Sequence, residues 1–160
     1  MQNEKEAGIK IRNEWQRASI SLLLTYGQLY NSYESFFKDY ELTSQQYNSL
    51  RILNDFYPEP VSTSVLRSNM LDKMSDTSRL VSRLQAKGYV TVSRNVSDKR
   101  LVNILISEKG QELLEKIAPS LVNLDAYLTG LSEEEATQLS DLLRKVRHSI
   151  ETVDKRKTKL

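Results

Sequence analysis

The chain has 160 residues, 39% of them apolar and 28% charged, with no cysteine, one histidine (His148) and a net charge of +2. It can bury a core and is not composed like a disordered chain, while the cysteine and histidine counts exclude disulfides, a thiol redox switch, cysteine-ligated zinc and a histidine triad. No apolar run approaches the roughly 20 residues of a membrane helix, and MQNEKEAGIK lacks the apolar core of a secretory signal, so a cytoplasmic protein with no cofactor and no metal is expected.

Residues 1–8 are expected to fray. From about Ile9 to Lys38 proline is absent, and Trp15, Leu22, Tyr26, Leu29, Tyr33 and Phe36 recur at spacings of 7, 4, 3, 4 and 3, predicting one long helix with a heptad-like stripe. Leu23, Leu24, Tyr30 and Phe37 widen that stripe beyond what a lone surface helix carries. About 30 residues at 1.5 Å each make a helix of roughly 45 Å, too long for one small lobe to cover. Part of it is therefore expected to pack on a second copy of the chain. Thr43 with Gln46 three residues on reads as a capping box, opening a helix through Tyr47, Leu50 and Leu53 that Pro58 and Pro60 stop. A short helix follows around Thr63 to Asn69, with Val65, Leu66 and Met70 facing inward.

The stretch from Asp72 to Gly110 then reads as a helix, a hairpin and the start of another helix. Asp72 or Ser75 is the N-cap of the first. Asp72 is preferred because it gives Met74, Thr77, Leu80, Val81 and Leu84 one continuous apolar side. Leu80, Val81, Leu84 and Ala86 form the buried stripe, and Ser75, Ser78, Arg79, Ser82 and Arg83 the polar one. Lys87-Gly88 is the stop signal, a basic residue in the last turn and a glycine beyond it. Tyr89–Val92 and Leu101–Ile106 read as strands, and Ser93–Arg100 as a projecting loop. Ser107-Glu108-Lys109-Gly110 caps a helix whose stripe is Leu113, Leu114, Ile117, Leu121, Leu124 and Leu128, with a kink or break expected at Pro119. Ser132 with Glu135 opens the last helix, carried by Leu139, Leu142, Leu143, Val146, Ile150 and Val153. The tail from Asp154 to Leu160 is expected to be disordered.

Charge is distributed unevenly along this order. Between Arg67 and Arg100 lie eight basic residues against three acidic ones, so this segment carries +5 and the remainder −3. A basic patch on a slightly acidic body is the electrostatic footprint of DNA binding. An arginine pairs bidentately with guanine O6 and N7 in the major groove, and Arg79 and Arg83, four apart on one helix face, reach neighbouring positions. Lys73, Ser75, Thr77 and Ser78 near the helix start suit phosphate contacts. A basic hairpin tip with Lys99 and Arg100 suits a narrow minor groove.

The order helix, helix, helix, helix, hairpin, helix, helix, together with SRLVSRLQAKGYV and SDKRLVNILISEKG, resembles the MarR family of bacterial transcription regulators from about Ile9 to Val153. The resemblance implies a mainly α fold with a small β-wing. It implies one MarR-type domain over 1–160, with dimerisation helices at 9–38 and 110–153 and a winged helix-turn-helix lobe at 42–106. By position it implies that Ser78, Arg79 and Arg83 face the major groove, Arg100 enters the minor groove, and Asp98 holds Arg100. It also implies a homodimer on double-stranded DNA with a palindromic operator. Arg94 departs from the pattern, delayed by Thr91-Val92-Ser93. A small aromatic effector is the expected ligand, with Tyr26, Tyr30 and Tyr33 as its pocket, and a repressor relieved by that ligand is the expected function. The alternative is a winged-helix module that docks proteins. No nucleophile–base pairing, HExxH or Gly-rich phosphate loop argues for an enzyme, and no membrane partner is expected.

Overall fold

The computed structural model describes residues 11–95 and 102–157. Its elements, in chain order, are helices α1 (Glu14–Lys38), α2 (Ser44–Phe56), α3 (Thr63–Asn69) and α4 (Thr77–Ala86), strands β1 (Val90–Arg94) and β2 (Val102–Ile106), and helices α5 (Glu108–Ile117), α6 (Val122–Asp125) and α7 (Glu133–Lys157). The chain divides into two compact units, residues 1–119 and 120–160.

In the first unit α2 is the hub, packing against α1, α3, α4, α5 and β2. Its start is the anticipated capping box: the Thr43 hydroxyl accepts the Gln46 N–H at 3.1 Å, and the Gln46 side chain accepts the Thr43 N–H at 3.0 Å. Because neighbours surround it, α2 buries polar Gln46, Asn48 and Ser49 as well as Leu50, Ile52 and Leu53. The polar three are satisfied locally. Ser49 Oγ donates to the Gln45 carbonyl at 2.9 Å, and Asn48 Oδ1 accepts from Arg51 at 3.3 Å. Phe37, near the end of α1, stacks on Tyr47 at 4.3 Å between ring centroids and joins this core. Much of the α1 stripe stays open: Trp15, Leu22, Leu23, Leu24, Tyr26 and Tyr30 are exposed, while Leu29, Tyr33 and Phe36 are half-buried.

The helix called from Asp72 starts later. Asp76 is the N-cap of α4, accepting the Arg79 N–H at 3.1 Å, and Asp72 closes the preceding turn by accepting the Met74 N–H at 2.9 Å. The expected apolar side beginning at Met74 therefore begins at Thr77, and Met74 projects into solvent. Ala86 and Val65 are likewise exposed, since α4 and α3 are too short to bury their last and first turns fully. The stop of α4 is as read. Tyr89 N–H bonds the Leu84 carbonyl, Gly88 N–H bonds the Gln85 carbonyl, and Gly88 takes φ +78°, a Schellman ending that needs a residue without Cβ.

The hairpin pairs antiparallel from Val90 opposite Ile106 to Arg94 opposite Val102. Ser93 and Arg94, expected in the loop, belong to β1, which lengthens the strand because Val102 and Asn103 are there to pair with. Val61 bridges the free edge of β2: its N–H and carbonyl exchange bonds with Ile104 at 2.9 and 2.8 Å. Val90, Ile104 and Ile106 face the core. The chain then turns into α5 through Ser107, whose side chain accepts the Gly110 N–H.

After α5 the helical pattern does break around Pro119, as a 3₁₀ turn over Ala118–Ser120 before α6. Ser132 and Glu135 exchange capping bonds at 2.8 and 3.2 Å. Helix α7 continues to Lys157, past the expected end at Val153, because nothing in Asp154–Lys157 breaks a helix. Leu139, Leu142, Val146, Ile150 and Val153 form an exposed stripe along it. Among the described residues no helix is long and apolar enough to cross a membrane.

Candidate nucleic-acid interface

Helix α4 is strongly two-sided. Thr77, Leu80, Val81 and Leu84 are buried, and Ser78, Arg79, Ser82 and Arg83 are exposed on the other side. Successive i, i+4 neighbours place Arg79 beside Arg83 and Ser78 beside Ser82. Ser82 Oγ donates to the Ser78 carbonyl at 3.0 Å, so its hydroxyl proton is used within the helix. Among the described residues neither the Arg79 nor the Arg83 guanidinium has an acidic partner within ion-pair distance. Two fully charged, multi-donor groups therefore stand ready on one face.

Thr77 does not belong to that face. It is wholly buried, its hydroxyl lies near the Met70 sulfur at 3.9 Å, and it accepts from Arg67 Nε at 3.4 Å. Its placement as a DNA contact is thus corrected: a residue one turn from Leu80 and Val81 sits on their side. Ser75 is half-buried in the turn, where its hydroxyl donates to the Asp72 carbonyl at 3.0 Å. The helix N-terminus is also not an open phosphate site, because the Asp76 carboxylate already accepts one of its free N–H groups and adds negative charge there. Lys73 is exposed in the same turn. Asp98, Lys99 and Arg100 lie outside the described residues; Arg94, at the end of β1, is exposed.

A shallow cleft of about 170 Å³ opens beside α4, lined by Tyr30, Thr43, Gln45, Gln46, Asp76, Arg79, Leu80 and Arg83. Of the three tyrosines expected to form a pocket, Tyr30 lines it. Tyr26 lies against Tyr30 at 5.9 Å between ring centroids, and Tyr33 turns toward Phe37 at 6.4 Å. Partial desolvation of its hydroxyl, with Glu34 next to it, raises Tyr30 above the usual phenol range although its side chain stays exposed. Glu34 also accepts the Ser44 N–H at 2.9 Å and the Ser44 hydroxyl. Gln45 Nε2 donates to Asp72 at 3.0 Å, tying the start of α2 to the turn before α4. The apolar periodicity of α2 did not reveal that brace, because Gln45 is polar and its partner lies 27 residues away.

No protein-family model matches the chain. It is 29% identical over 119 residues to the HTH-type transcriptional regulator TtmR of Methylorubrum extorquens, covering 74% of this chain and 60% of that protein. The chain thus spans less than two thirds of that relative. The MarR transcription factor of Planctomyces limnophilus superposes with a TM-score of 0.66 at 27% identity, over 86% of this chain and 98% of that one. Sco3205 of Streptomyces coelicolor, a MarR family transcriptional regulator solved with DNA, superposes at 0.75 and 23% identity, over 88% and 90%. This is the fold of the MarR-family transcription regulators. In the MarR fold as this chain builds it, α3, the Asp72 turn and α4 make the helix-turn-helix, and β1 and β2 make the wing, braced at its base by Val61. These similar proteins are named as transcription regulators, not enzymes.

Proposed function

We propose that the chain is a sequence-specific transcription regulator that binds double-stranded DNA as a homodimer. The observation that carries this reading is the exposed face of α4, where Arg79 and Arg83 stand one turn apart without acidic partners among the described residues. Helix α4 enters the major groove, Arg79 and Arg83 contact base edges or a base and a phosphate, and Ser78 and Lys73 contact the backbone. The resemblance assigns Arg100, with Asp98 and Lys99, to the minor groove. The uncovered apolar stripes of α1 and α7 support a second copy as their partner. Two recognition helices about 34 Å apart would then read a palindromic operator. Repression relieved by a small aromatic effector fits the cleft beside Tyr30, since a ligand there would meet the same arginines that face DNA.

The test begins with DNA recovered from a random pool by the full chain. Arg79→Ala and Arg83→Ala are each expected to weaken binding to it by about 1–3 kcal/mol per half-site if the arginine reads a base. Wild-type affinity should fall steeply between about 50 and 200 mM salt. Affinity unchanged in both variants, or insensitive to salt, refutes the reading and favours a protein-docking winged helix.

A further inference from the structure

We propose that the turn entering α4 reads thymine: Met74, flanked by Leu71, packs on thymine C5-methyl groups at one end of each half-site. The proposal rests on the DNA-binding reading above and adds a base preference to it. Met74 is 93% and Leu71 89% exposed, higher than any other large apolar side chain among the described residues. A loose turn does not explain this exposure. Asp72 accepts the Met74 N–H at 2.9 Å through one carboxylate oxygen and Gln45 Nε2 at 3.0 Å through the other, and its carbonyl accepts the Ser75 hydroxyl at 3.0 Å. Met70 just before the turn and Thr77 just after it are buried. The backbone is thus pinned at both ends and braced from α2, while two apolar side chains are held out in water.

The surroundings select the occupant. Lys73 lies between the two apolar residues, exposed Arg67 precedes them and exposed Arg79 follows, while Asp72 and Asp76 have carboxylate oxygens committed to protein donors. Two isolated apolar side chains among cations are too little surface for a protein partner. They match the major groove, which is polar and anionic except where thymine methyls project into it. Met74 stands two residues before the α4 N-cap, and the N-terminal end of a recognition helix is the part that meets base edges. With Thr77 turned inward, Met74 is the apolar side chain exposed there, beside Ser78 and Arg79. An unbranched thioether adapts to such a contact without a strict geometry.

The experiment replaces thymine by uracil, position by position, in the DNA recovered by the wild-type chain; this removes the methyl and keeps every hydrogen-bonding group. Wild type is expected to bind about fourfold more weakly for each contacted methyl removed, the worth of one buried carbon. Met74→Ala should bind thymine and uracil DNA equally, Met74→Leu should keep the preference, and Arg79→Ala should bind both more weakly while still preferring thymine. Equal wild-type binding at every position, or a Met74→Ala protein that keeps the preference, overturns this proposal and leaves the DNA-binding reading standing. Recovery of no specific DNA overturns both.

Discussion

Replacing Gly110 by alanine tests whether the wing is clamped to α5 as the structure has it. Gly110 is the third residue of α5, where alanine is the better helix former by about 1 kcal/mol, so local propensity alone predicts stabilisation. Tertiary packing predicts the opposite. A Cβ at Gly110 would overlap the Tyr89 carbonyl oxygen and come within 2.8 Å of Ile106 Cγ1. The first of these is backbone and cannot rotate away. It is also held in place, since Tyr89 O accepts the Ser107 N–H at 3.0 Å and the Ser107 hydroxyl donates to the Gly88 carbonyl at 2.7 Å. Relief requires α5 to retreat from β1, costing about 1–3 kcal/mol of overpacking strain and about 1 kcal/mol for the stretched Ser107 bond. Net of the propensity gain, Gly110→Ala should destabilise by about 1–3 kcal/mol. With a urea slope of about 1–3 kcal/mol per molar, the unfolding midpoint should drop by roughly 1 M, read by circular dichroism. Gly130→Ala is the control: nothing lies within 4 Å of its Cβ position, so its stability should stay within about 0.5 kcal/mol of wild type. An unchanged or raised midpoint for Gly110→Ala would mean that α5 does not bear on the wing, and the reasoning fails.

Asp76→Ala removes the N-cap of α4 and should cost about 1 kcal/mol in a urea melt, whereas Asp72→Ala leaves the cap in place and should not shorten the helix. Hydrogen exchange at the Arg79 amide separates the two, rising in the first variant only. On the proposed homodimer, Leu142→Glu, on the exposed stripe of α7, should leave the helical circular dichroism intact but shift the mass in solution to that of a monomer; an unchanged mass would count against α7 as the dimer contact. Tyr47 is raised above the usual phenol range chiefly by burial, with Asp55 adding and Arg51 opposing. A folded value above the unfolded 10.0 means that this stabilisation is complete below pH 10 and is lost as pH climbs through the raised value. Tyr47→Phe should therefore flatten the alkaline arm of the stability–pH curve, and an arm as steep as wild type would count against Tyr47 as its source.

The elements legible in the sequence were those whose signals are local. The Thr43–Gln46 box, the Lys87-Gly88 ending, the Ser132–Glu135 box and the break at Pro119 all act within one or two turns of chain, and each stands where its residue types require. The exposed arginine face of α4 was legible for the same reason, since helical spacing alone puts Arg79 with Arg83. Long-range partners decided what periodicity could not. Asp72 and Asp76 are equivalent as capping residues; the donor from Gln45, 27 positions away, holds Asp72 in the turn and leaves the cap to Asp76. Thr77 is a hydroxyl residue at a helix start, and packing near Met70 and Arg67 turns it inward. Val61, between prolines and a serine, carries no strand pattern, yet Ile104 offers it both ladder bonds. The sequence by itself determined the order of elements and the basic face of α4. Tertiary structure alone decided where that helix begins, which of its hydroxyls reach solvent, and that Met74 is held out beside them.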